Sequence, residues 1–233
     1  MNEQPITRTK AGYTQETEQD PKEFDLSKYV LGFYNYSIIA TLGGLVVSML
    51  GICCSVFWQL PLVSVYCLLI AGAFHLFDGK IAKTKLLTPE QTDFGRTLDL
   101  ISDLSAFVLL PLAIGYRTGM DSVWFLPFLL VYLLAGVIRL SYLHVTDAER
   151  KATGGRHRQV HIGLPLASVT LILPAFFLLY KVIPLVFPWL FGVLMLLMSA
   201  GFLYRFKMRK LGIKGVMVFI LLGIIEMVLL AVL

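Results

Sequence analysis

Charge is scarce in this chain. Asp, Glu, Lys and Arg together make up 15% of its residues against 57% apolar ones, well off the balance of a soluble globular domain. Cysteine is scarce too. Cys53, Cys54 and Cys67 fall inside apolar runs without metal-ligand spacing, so they read as packing residues. The apolar runs lack the alternation of barrel strands, which leaves helices as the membrane-compatible form. No basic segment followed by an apolar one opens the chain, so its first residues are not expected to be a cleaved signal peptide. Neither an internal repeat nor a second soluble domain is visible.

What is present is hydrophobic length. Seven apolar stretches lie near 35–56, 60–77, 97–115, 123–143, 162–180, 183–204 and 214–233. Each is long enough, or nearly so, to cross a bilayer, which takes roughly 17–25 residues. The expected fold is all-α, a polytopic transmembrane helix bundle of about 6–8 spans over residues 30–233. Residues 1–29 are polar and mixed in charge and read as a disordered cytoplasmic tail, with a short interfacial helix from Pro21 into Tyr29.

Lysine and arginine then orient the bundle. They gather in the 78–96, 144–161 and 204–214 loops, whereas the alternate loops carry only Arg117 and Lys181. The positive-inside rule makes the three rich loops cytoplasmic and puts the N-terminus inside. Topology and contact with anionic headgroups account for most of these basic clusters. His157 and His161 fall in the second of them, where a surface role outweighs a metal site. Trp58, Tyr116 and Trp189 stand at span ends as interface anchors.

Residues 78–103, DGKIAKTKLLTPEQTDFGRTLDLISD, put carboxylates beside hydrocarbon, where an ionisable group is a functional-site hypothesis by default. Gly95, Asp99 and Asp103 recur every four residues, on one helical stripe. Asp78, Gly79 and Ala82 fall on one face of the preceding helix. Three carboxylates converging from two helices can hold a divalent cation through hard oxygen ligands. The small residues let a large ligand approach the backbone.

The string resembles the signature of the CDP-alcohol phosphatidyltransferases, D-x-x-D-G-x-x-A-R followed after a spacer by G-x-x-x-D-x-x-x-D. Gly95, Asp99 and Asp103 match every fixed position of the second half, and Asp78, Gly79 and Ala82 match in the first. Two positions depart. His75 stands where the family has its first aspartate, and Lys83 where it has arginine. The resemblance implies transfer of a phosphatidyl or related group from a CDP-linked donor to an alcohol, with release of CMP.

By the same resemblance Asp78 and Asp99 are expected metal ligands. Asp103 is the expected general base and a contact of a second ion. Gly79 and Ala82 would floor the cytidine, Lys83 would keep a phosphate contact, and Gly95 would admit the nucleotide. The implied cofactor is a divalent cation, Mn2+ or Mg2+. A neutral imidazole at His75 can ligate Mn2+ but suits Mg2+ poorly. His75 as a ligand, a water in its place and a catalytically impaired protein all stay open.

Further on, IRLSYLHV (138–145) and GLPLASVTLILP (163–174) resemble segments of the bacterial phosphatidylserine synthases. Arg139 becomes a candidate substrate-binding residue, since a guanidinium at a span end needs an anion or must snorkel to the interface. His144 replaces the asparagine of that pattern. Asn35 and Thr41 in the first span can reach a nucleotide or bond neighbouring helices.

The expected function is phosphatidyl transfer from CDP-diacylglycerol to a small alcohol, with L-serine foremost. Glycerol phosphate or inositol phosphate as acceptor is one alternative, and an impaired relative that binds lipid or nucleotide is another. A small transporter fits less well, because the ionisable residues sit at one membrane face rather than near the midplane. Expected partners are CDP-diacylglycerol, the alcohol and membrane lipids, with a homodimer as candidate assembly and no nucleic acid. The expected location is a bacterial cytoplasmic membrane, with the site at its cytoplasmic face.

Overall fold

Inside hydrocarbon a backbone N–H or C=O finds no water, so each apolar run must satisfy its own backbone, and a helix does so within the segment. The computed structural model describes residues 32, 36–81, 88–152, 160–209 and 213–232. Residues 1–32 form a unit of their own in which only Gly32 is described. The expected polar tail and its interfacial helix therefore lie outside the described residues.

Within the second unit every expected span is helical. The helices are α1 (Tyr36–Val56), α2 (Pro61–Ile81), α3 (Pro89–Leu104), α4 (Leu110–Arg117), α5 (Leu126–Ala152), α6 (Val169–Val182), α7 (Phe187–Leu203) and α8 (Ile213–Val232). Four stretches, Ile38–Val56, Glu90–Arg117, Val123–Thr146 and Gly215–Val232, are long and apolar enough to cross a membrane unaided. Pro61–Leu76, Leu166–Val182 and Phe187–Leu203 are shorter apolar helices. The protein is an integral membrane helix bundle.

Three local features differ from expectation. The third span begins at Pro89 rather than at 97, because Thr88 caps it. The Thr88 hydroxyl accepts from the Gln91 N–H and the Gln91 side chain accepts from the Thr88 N–H, each at 3.2 Å, with Pro89 at the first helical position. This reciprocal cap satisfies two otherwise orphaned donors, so the helix runs polar for two turns before its apolar part.

The second feature is a π-helical turn, Ser105–Leu109, joining α3 to α4. Pro111 explains it. Proline has no N–H and its ring clashes with the carbonyl four residues back, here that of Phe107. The ladder slips by one residue, with the Leu110 N–H donating to the Ser105 carbonyl. The Phe107 carbonyl accepts instead from the Tyr132 hydroxyl of α5 at 2.8 Å, which satisfies that acceptor.

Third, β1 (Val160–Ile162) and β2 (Lys207–Arg209) pair antiparallel, with His161 opposite Met208. The expected 162–180 span thus opens on extended chain, and its α-helix starts only at Val169.

Small residues bring helix backbones together, as is usual where lipid offers no hydrophobic drive. A methyl group added at Gly51 of α1 would lie 2.7 Å from the Cys67 Cβ of α2. Buried side chains from α2, α4, α5, α6 and α7, among them Leu68, Ile114, Tyr132, Leu173 and Phe191, form the core. Large apolar side chains elsewhere face outward, including Leu134, Leu197 and Leu221, as a lipid-facing surface requires. Trp58, Tyr116 and Trp189 are exposed at helix ends. The Arg117 guanidinium donates to Gln59 at 2.7 Å, which joins the α1–α2 connection to the end of α4 at the pole remote from Asp99.

Candidate functional site at the junction of α1, α2 and α3

Asp99 and Asp103 lie one helical turn apart on α3, just before the π turn. Their surroundings are polar side chains donated by two other helices. Thr41 of α1, itself buried, donates its hydroxyl to Asp99 Oδ1 at 2.8 Å. His75 of α2 reaches Asp103, with Nδ1 at 3.0 Å from Oδ1. Its other ring nitrogen, Nε2, lies 3.3 Å from the hydroxyl of buried Ser102. That hydroxyl is also 3.2 Å from the Thr41 carbonyl oxygen. One turn deeper, Ser48 of α1 and Ser105 of the π turn share a hydrogen bond of 2.7 Å.

Access is graded across this junction. Asp99 is exposed, the Asp103 side chain retains 32% of its accessible surface, and the His75 side chain only 9%. Gly95, one turn before Asp99, faces open space, since an added methyl group would find no heavy atom within 4 Å.

Of the expected site residues, the structure brings His75, Asp99 and Asp103 together. Asp78 and Gly79 fall at the end of α2, where only the backbone is described. Ala82 and Lys83 lie outside the described residues, as does His157. Among the described residues no three His, Cys, Asp or Glu side chains form a metal-binding group. The two aspartates nevertheless supply hard oxygen donors of the kind Mg2+ and Mn2+ take. The donor set fits a divalent cation, and Asp78, the third expected carboxylate ligand, lies three residues after His75 on α2.

Arg139 sits on α5, only 4% exposed, so it does not snorkel. Among the described residues its Nε and Nη2 have no hydrogen-bond partner. Gly163 packs close beside it. That residue has φ +75°, and an added methyl group would lie 3.1 Å from the Tyr204 carbonyl oxygen and 3.4 Å from Arg139 Nη1. Only glycine suits that place. A short connection turns α5 back along α3–α4, and the Tyr132–Phe107 bond fixes their relative height. Arg139 lies two turns beyond Tyr132, roughly 10 Å along the helix. It therefore lies toward the same end of the bundle as Asp99 and Asp103.

The Ser102, Ser48 and Ser105 bonds leave no mark in the sequence, because a serine in an apolar helix looks alike whether it bonds its own backbone or a neighbour.

A stretch of 103 residues is 27% identical to the CDP-diacylglycerol–serine O-phosphatidyltransferase of Saccharomyces cerevisiae, covering 43% of this chain and 36% of that protein. The match thus spans about a third of the relative's length. No solved structure matches the chain. The family model of the CDP-alcohol phosphatidyltransferases matches residues 35–203, well over half of the sequence, and the chain belongs to that family.

Proposed function

We propose that this protein transfers a phosphatidyl group from CDP-diacylglycerol to a small alcohol, L-serine foremost, and releases CMP. The observation that carries this reading is the pair Asp99 and Asp103 at the α1–α2–α3 junction, one turn apart and accessible. Members of the family generally use divalent metal ions. Asp99 and Asp103, with Asp78, would hold them. When bound, such ions neutralise the pyrophosphate and stabilise the departing phosphate.

The remaining work falls to the chain. Asp103 takes the proton of the acceptor hydroxyl. The acceptor oxygen bonds to the phosphorus on the diacylglycerol side of the pyrophosphate. The bond from that phosphorus to the bridging oxygen breaks, and CMP leaves with the electron pair. Thr41 fixes the orientation of the Asp99 carboxylate.

Gly95 supports the nucleotide's place. A glycine inside a helix costs about 1 kcal/mol relative to alanine, and no neighbouring side chain demands one here. Gly95→Leu is expected to leave the melting temperature unchanged or raised while weakening CMP binding at least about tenfold, or 1.4 kcal/mol. Calorimetric titration with CMP checks this, and unchanged affinity would remove Gly95 from the site.

Arg139 supports an anionic acceptor. A buried guanidinium without a partner is costly, and a serine carboxylate at the same depth would pair with it. Membranes containing the protein, CDP-diacylglycerol and Mn2+, offered labelled serine, glycerol phosphate or inositol phosphate in turn, identify the acceptor by the lipid product. Phosphatidylserine is expected, and a phosphorylated product lipid would displace the serine reading.

We also propose a cytoplasmic site with the N-terminus inside, on the charge asymmetry of the loops. Cysteine replacing Arg156 should then be labelled from the cytoplasm and cysteine replacing Arg117 from outside. The reversed pattern would put the aspartates on the wrong side for cytosolic substrates.

A further inference from the structure

We infer that His75 is a positioning residue for Asp103, an inference that rests on the reading of Asp103 as the base. The geometry is specific. An ionised carboxylate has no proton to give, so the 3.0 Å contact between Nδ1 and Oδ1 requires the proton on Nδ1. A hydrogen bond to one carboxylate oxygen fixes the rotation of the group and so the direction of its second oxygen. A base is effective only when that direction meets the acceptor hydroxyl.

The imidazole is itself held on several sides. Nε2 meets the Ser102 hydroxyl at 3.3 Å. The ring packs against Phe107 at 4.9 Å between centroids, tilted by 52°. Helix α1 passes close by at Gly44, where an added methyl group would come within 3.6 Å of Nε2. Phe107 in turn belongs to the π turn, its carbonyl pinned by Tyr132. The irregularity imposed by Pro111 therefore sets the surface on which His75 rests. With a proton on Nδ1 and Ser102 at Nε2, the ring meets the site as a donor to Asp103 rather than as a ligand to an ion.

The test separates the two ring nitrogens. In H75N the amide nitrogen takes the place of Nδ1, whereas in H75Q it takes the place of Nε2, and H75L keeps neither. H75Q and H75L are expected to lose kcat by about 10–100-fold, as is usual for a partner behind a reacting group. KM for CDP-diacylglycerol and the Mn2+ affinity in the presence of CMP, read by electron paramagnetic resonance of free Mn2+, stay near wild type. H75N recovers most of the lost turnover. Melting temperatures in detergent establish which variants fold, and the H75N–H75Q comparison decides the matter if H75L does not.

Wild-type kcat in H75L or H75Q, or H75N no better than H75Q, would overturn the inference. So would loss of Mn2+ affinity in all the variants, which would make His75 a ligand. D103N measured alongside keeps the two claims apart. An active D103N removes the base and with it this inference, whereas an inactive D103N beside an unimpaired H75Q removes the positioning role alone.

Discussion

Asp103→Asn is expected to reduce CMP release by roughly 100- to 10,000-fold, the range of a lost general base. The protein should still fold and reach the membrane. Asparagine keeps an oxygen in the position that accepts from His75 Nδ1, so the 3.0 Å contact survives while the negative charge does not. Asp99→Asn follows the same logic. Its amide oxygen still accepts from Thr41 at the place of the 2.8 Å bond, but a neutral amide is a poor ligand for a hard cation. CMP release from membranes, set beside elution of each variant in detergent, separates lost chemistry from lost folding. Activity within a few-fold of wild type in either variant would remove that residue from the site.

Arg139→Met should produce two effects of opposite sense. The buried guanidinium, with two nitrogens unpartnered among the described residues, burdens the empty fold, so an apolar side chain of similar volume leaves stability unchanged or raised. The acceptor meanwhile loses a charge-assisted interaction worth about 1.5–3 kcal/mol, which raises its KM by about 10- to 150-fold. Arg139→Lys should recover only part of this, because the ammonium lacks the planar fork that meets a carboxylate with two bonds. A raised melting temperature together with a raised serine KM is the expected signature. An unchanged KM would confine Arg139 to a structural role.

Much of this was legible in the sequence, because hydrocarbon leaves few options. An apolar run of span length must become a helix, and each of the seven did. The four-residue spacing of Gly95, Asp99 and Asp103 is a local property, so it too could be read directly. The early start of α3 was also written there, in the T-P-E-Q of residues 88–91, though a charged segment beside a span reads more readily as a loop. The 97–115 run reads as one unbroken span, and nothing local says that it turns π-helical at Ser105–Leu109 or that Tyr132 takes the Phe107 carbonyl. The pairings of Thr41 with Asp99 and of His75 with Asp103 were not legible. They join residues far apart in the chain, and only the packing of three helices decides which side chains meet. The β1–β2 ribbon is too short to display the two-residue period that would have marked it.

The most direct measurement is CMP release by the purified protein in mixed micelles containing CDP-diacylglycerol and Mn2+, with L-serine as acceptor. The expected result is CMP and phosphatidylserine in equal amounts, dependent on each component and lost on addition of a chelator. CMP binding without any release, whichever alcohol is offered, would contradict catalysis and leave a lipid- or nucleotide-binding member of the family.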